Sequence, residues 1–152
     1  VPLSSNMQAT TDEVLILVID PNVSHSSLIR QVLEDQPNQY RLTVVQNGTM
    51  ALDFLHQRGE FTAAKRPHLI LLELDLPDQD GRALLAEIKN DSNLRRIPII
   101  VLTASDAPAD IFRSYVEQGN CYVIKATDSE ALSHTIKRIE AFWLEIVTLP
   151  QE

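Results

Sequence analysis

The sequence predicts an α/β fold in which five parallel strands alternate with five helices. Two observations carry this. Short apolar runs recur along the chain, continuous in Val14 to Ile19, Leu69 to Leu72, Pro98 to Leu102 and Cys121 to Ile124 and formed by Leu42, Val44 and Val45 in the second, the pattern of strands buried in a sheet. The stretches between them repeat apolar residues at helical spacing, so strand and helix alternate with short connections and right-handed crossovers.

In chain order, Val1 to Glu13 is polar and aperiodic and reads as a disordered lead-in. Met7 reads as a start residue, leaving Val1 to Asn6 as an addition ahead of it. The domain proper is expected over residues 14–150. The first strand closes at Asp20-Pro21-Asn22, after which Ser24, Ser26 or Ser27 can cap a helix lined by Leu28, Ile29, Val32 and Leu33. Strand two ends in Gln46-Asn47-Gly48, and Ala51, Leu52, Phe54 and Leu55 line the next helix. The basic stretch Gln57 to Pro67 reads as a surface loop. Strand three ends in Glu73 and passes into an acidic turn broken by Pro77 and Gly81. Leu84, Leu85 and Ile88 mark a third helix ended by Asn90-Asp91-Ser92. Strand four carries Thr103 at its end, and Ile111, Phe112, Tyr115 and Val116 mark a fourth helix closed by Gly119-Asn120. Strand five carries Lys125 at its end, and a last helix runs from near Asp128 through Leu132, Ile136, Ile139, Phe142, Trp143 and Ile146.

Five such units imply a doubly wound parallel sheet in the flavodoxin-like order 2-1-3-4-5. In that order the sheet reverses direction between strands one and three. Asp20 and Glu73 then meet at the switch point, where open α/β sheets place their ligand sites. Thr103 and Lys125 end the neighbouring strands at the same edge. Two carboxylates, a hydroxyl and an ammonium in one crevice suit a small hard cation and a phosphoryl group.

Bulk properties narrow the function classes. The 152 residues suffice for one domain, and a formal charge of −8 repels nucleic acid and anionic lipid. No apolar stretch approaches the roughly 20 residues of a membrane-spanning helix. Protein partners and the cytoplasm are the expectation. The single cysteine, Cys121, reads as a buried, inert thiol. His25, His56, His68 and His134 lack metal-ligand spacing and read as surface or helix-end residues. Asp78, Asp80, Gly81 and Glu87 fall at the spacing of a calcium loop, but Leu76 stands at its first ligand position and Pro77 follows, so that match is a coincidence. No arrangement for an independent hydrolase stands out, and no enzyme activity is expected.

The stretch from Leu69 to Gly81, with Thr103 and Lys125, resembles the receiver domain of two-component response regulators. Pro67-His68-Leu69, Leu94-Arg95-Arg96-Ile97-Pro98, Asp110-Ile111-Phe112-Arg113-Ser114-Tyr115, Asn120-Cys121-Tyr122 and Phe142-Trp143-Leu144 are similar to the phytochrome-associated, single-domain receivers of cyanobacteria. The resemblance implies phosphoryl transfer from a sensor histidine kinase to the position of Glu73. It makes Thr103 the hydroxyl residue of the phosphate site, Tyr122 the aromatic switch and Lys125 the partner of the phosphoryl oxygens. It assigns Mg²⁺ to Asp20, Glu73 and the backbone carbonyl of Asp75. It also implies a homodimer through Phe142, Trp143, Ile146 and Leu149 together with the fourth helix and fifth strand; the alternative is a tail that folds back on its own domain.

Three departures set this chain apart. Ile19 replaces the first of two adjacent acids, Glu73 replaces the phosphoaccepting aspartate, and Ala126 replaces the proline after Lys125. The extra methylene moves the carboxylate by about 1.5 Å, and Ile19 removes an oxygen ligand, so phosphorylation and Mg²⁺ binding are both expected to be weak or absent. A trans peptide is expected before Ala126. For Glu73 two outcomes stay open. Either its carboxylate holds Lys125 and Thr103 in part of the active arrangement, or it pairs with Lys125 and nothing switches. A partner bound without phosphorylation, and a phosphatase-like enzyme using the same crevice, are the competing functions.

Overall fold

The computed structural model describes residues 13–36, 39–107, 111, 121–126 and 128–146, the last two without their side chains. The expected lead-in up to residue 12, the fourth helix apart from Ile111, and Leu149 lie outside the described residues.

Five strands form one parallel sheet: β1 Val14–Ile19, β2 Tyr40–Val45, β3 Leu69–Leu72, β4 Ile99–Thr103 and β5 Cys121–Ile124, in the order β2-β1-β3-β4-β5. Four α-helices accompany them among the described residues: α1 Val23–Glu34, α2 Gly48–Leu55, α3 Gly81–Asn90 and α4 Ser129–Ile139. Strand alternation divides the core. Leu17, Ile19, Ile70, Leu72 and Val101 face α2 and α3, whereas Ile16, Val18, Leu69, Leu71, Ile100 and Leu102 face α1 and α4. Every residue of β3 is buried, and each such aliphatic side chain contributes roughly 1.5–3 kcal/mol over its exposed state. In β3 that burial on both faces makes the apolar run continuous and leaves the strand end as its first polar position.

Helix starts follow short side chains. Asn22, Asn47, Asp80 and Asp128 accept from the backbone N–H of His25, Met50, Arg82 and Ala131. This corrects the expected cap of α1. Pro21 ends β1 so abruptly that the helix begins at Val23, leaving the serines inside it, where Ser26 bonds back to the Val23 carbonyl. The stretch 57–67 is also more structured than expected, because Gly59–Phe61 forms a 3₁₀ turn that sets Phe61 edge-on against Phe54, with ring centroids 5.4 Å apart. Cys121 is half-buried on edge strand β5 instead of fully buried. Burial pushes its thiol up, against hydrogen bonds from Trp143 and the Tyr122 backbone that lower it.

After Ile139 the helix widens into a π-helical segment, Glu140–Ile146. Glu140 is buried there and accepts from the Tyr40 hydroxyl at 2.7 Å, tying the segment to the start of β2. Trp143 packs onto the α1/α4 side of the core, while Phe142 is 53% exposed.

Candidate functional site

The sheet order brings Asp20, Glu73, Thr103 and Lys125 to one edge, as the sequence predicts. Each is within one residue of a strand end, and each is buried. The placement follows from the ladder. Asp20 N–H donates to Val45, Glu73 N–H to Ile19 and Lys125 N–H to Thr103, so the polar residues continue the strands and their side chains converge.

Lys125 lies at the centre. Its Nζ donates to Asp20 Oδ2 at 2.8 Å and to Glu73 Oε1 at 2.7 Å. Glu73 Oε2 accepts from the Thr103 hydroxyl at 2.5 Å and from the Asp75 N–H at 2.9 Å. Asp20 Oδ1 accepts from the Asn22 N–H at 2.8 Å. Every oxygen of the two carboxylates therefore has a protein donor. Burial pushes the Glu73 carboxyl up, but the hydrogen bonds from Lys125, Thr103 and Asp75, with the Lys125 charge, outweigh it and hold Glu73 below its ordinary value.

These residues line a cavity of about 600 Å³ that opens onto Asn22, Asp75, Ser105, Arg82 and His25. Sequence reasoning missed the last three. Arg82 is paired with Asp80 at 2.9 Å, and His25 Nδ1 is buried with no hydrogen-bond partner among the described residues. Both sit on the first turns of α1 and α3, whose amino ends point at the sheet's carboxyl edge, a signal that was available. Tyr122 is half-buried, and its hydroxyl donates to the Ser105 carbonyl at 2.7 Å beside the cavity. The Lys125–Ala126 peptide is trans, as expected without the proline. His68 is not a mere surface residue: its Nδ1 accepts the Leu15 N–H at 2.9 Å and extends the β1–β3 ladder.

The acidic turn is fastened at two points. The backbones of Asp75 and Asp80 form an antiparallel bridge across it, and Asp78 accepts from the N–H groups of Gly48 and Thr49 and from the Thr49 hydroxyl, at 2.7 to 2.9 Å. Asp78 thus anchors the loop carrying Asp75 to the start of α2. No three acid, histidine or cysteine side chains among the described residues are arranged to hold a metal ion. Ile19 is fully buried in the core and offers the crevice no oxygen.

Residues 16–137 match the response regulator receiver domain family. The chain is 42% identical over 136 residues to the response regulator Rcp1 of Synechocystis sp., covering 90% of this chain and 92% of that one. The Mn²⁺-bound crystal structure of Rcp1 superimposes with a TM-score of 0.87 at 41% identity, over 91% of this chain and 99% of the other. The phosphorylated cyanobacterial phytochrome response regulator RcpA gives 0.88 at 41% identity with the same coverage.

Proposed function

This chain belongs to the response regulator receiver family, and from that premise we propose that it serves two-component phosphorelay signalling downstream of a phytochrome-type sensor histidine kinase, with a degenerate phosphorylation site. The phytochrome link is supported by the similarity to RcpA. The degeneracy is supported by the position of Glu73, whose carboxylate is committed to Lys125 through one oxygen and to Thr103 and Asp75 through the other. In-line attack on phosphorus tolerates little displacement, and an error near 1 Å costs about a hundredfold. An acid one methylene too long, held by three donors, is poorly placed for it.

The test is incubation with acetyl phosphate and Mg²⁺ followed by intact mass measurement, with Glu73→Asp as the control. The expected outcome is little or no phosphoryl adduct on the native chain and a clear adduct on Glu73→Asp. Rapid, stoichiometric modification at Glu73 sinks the degenerate-site reading, and continuous release of phosphate points to an enzyme instead.

A second reading is a phosphorylation-independent pseudo-receiver that binds its partner constitutively. The contact of one carboxylate with both Thr103 and Lys125 favours it, although a single charge replaces only part of a phosphoryl group's roughly −1.5 to −2. The working form we propose is a cytoplasmic homodimer; no described helix is long and apolar enough to cross a membrane. The exposed Phe142 beside Trp143 supports self-association, and sedimentation of Phe142→Ser against the native chain tests it.

A further inference from the structure

The cation that the family implies for this crevice is a divalent metal, yet the place between the two carboxylates is taken by a charge of the chain itself. Lys125 Nζ is 2.8 Å from Asp20 and 2.7 Å from Glu73, and its side chain is 3% exposed. A magnesium-type ion needs near-ideal octahedral oxygen geometry close to its ligands, and an ammonium within hydrogen-bonding distance of both acids repels a second cation brought between them. The remaining oxygens do not form an alternative set. Asp20 Oδ1 is held by Asn22, Glu73 Oε2 is held by Thr103 and Asp75, and Ile19 contributes a buried hydrocarbon where a third acid would stand. As arranged, the residues do not fit the ion.

We propose that Lys125 is the resident cation of the crevice. Its tethered ammonium bridges Asp20 and Glu73 in place of a divalent metal, so the site keeps its closed geometry without one, and a metal ion enters only by displacing the lysine. The substitutions cooperate in this. The acid missing at Ile19 leaves two carboxylates, half of whose charge one lysine offsets, and the longer Glu73 side chain reaches Nζ at 2.7 Å. The proposal rests on the receiver reading only for the expectation of a divalent ion. Its test contains no phosphodonor, so its failure is separate from failure of the acetyl phosphate assay.

Mn²⁺ binding is measured on the full chain by electron paramagnetic resonance of the free ion, alongside thermal melts in EDTA and in millimolar Mn²⁺. The native chain, Lys125→Met and Lys125→Gln are compared, the amide of the last keeping a donor to one carboxylate. The native melting temperature is expected to be indifferent to EDTA. Both variants are expected to bind Mn²⁺ roughly ten- to a hundredfold tighter than the native chain, an ordinary coupling between two occupants of one site. If either variant folds only when Mn²⁺ is supplied, that rescue supports the same conclusion. Native affinity equal to or tighter than that of the variants, a native melting temperature that falls in EDTA, or variants that Mn²⁺ neither binds nor rescues would overturn it.

Discussion

Gly81 stands so close to Leu74 that a Cβ placed on it would lie 2.5 Å from the Leu74 Cα and 2.6 Å from its carbonyl oxygen. The same two residues close the acidic turn, with the Gly81 N–H on the Leu74 carbonyl at 2.9 Å. Backbone cannot swing aside as a side chain does, so Gly81→Ala is expected to cost about 1–3 kcal/mol, the usual range for overpacking. Gly48 offers the contrast. A Cβ there would meet only the Gln79 side chain, from its Oε1 back to its Cγ, which can shift to another rotamer, so Gly48→Ala is expected to cost less than Gly81→Ala. Urea denaturation of the two variants checks the difference; equal losses would mean that the turn is softer than its contacts indicate.

The second prediction concerns Glu73 and pH. Its folded carboxyl titrates below the ordinary 4.5 because the donors from Lys125, Thr103 and Asp75 outweigh its burial. The unfolded chain therefore binds the proton first as pH falls, so the stabilisation is complete above the ordinary value and is lost as pH drops through the folded one. Glu73→Gln removes this titration. Lys125 keeps Asp20 in that variant, so the loss at neutral pH is expected to be about 1–3 kcal/mol and not the 3–5 kcal/mol of a fully orphaned buried charge. Urea midpoints should differ most near neutrality and converge in the acid range. A difference that stays constant down to low pH would contradict the assignment.

Much of this site was legible before the structure because strand ends are legible. An apolar run buried on both faces has to stop where its first polar residue stands, and the sheet order then dictates which ends meet. Asp20, Glu73, Thr103 and Lys125 follow from that alone. The sequence offers Lys125 and Thr103 as partners of Glu73, and both contacts form, but other pairings are not legible in it. Nothing in the spacing says that Lys125 bridges both acids, or that Asp78 reaches across the chain to the backbone of Gly48 and Thr49. The α1 cap failed for a local reason: three serines competed with Asn22, and the tight stop at Pro21 decided between them. His25 and Arg82 are not legible as cavity residues because helical periodicity marks the buried face of a first turn and not the cavity it borders.

Lys89 yields a third prediction. It is buried at the end of α3, and its Nζ donates to the carbonyls of Arg95 at 2.9 Å and Ile97 at 2.7 Å. Burial lowers its pKa to about 8. The unfolded lysine, near 10.5, holds its proton longer, so stability should rise as pH climbs from about 8 toward about 10.5 and then level off, by on the order of 2–3 kcal/mol. The native chain should gain stability across that window relative to Lys89→Met, which has no proton to lose there. Parallel curves for the two proteins would show that the carbonyl acceptors keep the ammonium charged.

The fourth prediction separates two tyrosines that each donate a hydroxyl at 2.7 Å. Tyr40 reaches the buried carboxylate of Glu140, where α4 gives way to the π-helical segment, and Tyr122 reaches the backbone carbonyl of Ser105. A carboxylate binds a donor more strongly than a carbonyl does. Tyr40→Phe is therefore expected to cost about 1–3 kcal/mol and Tyr122→Phe about 0.5–1.5 kcal/mol. The chain's single tryptophan, Trp143, sits three residues beyond Glu140. Its emission should shift to longer wavelength in Tyr40→Phe as the segment loosens from β2, and should stay unchanged in Tyr122→Phe. An unchanged Trp143 spectrum together with full stability in Tyr40→Phe would mean that packing of Trp143 on the core holds the segment without help from the hydrogen bond.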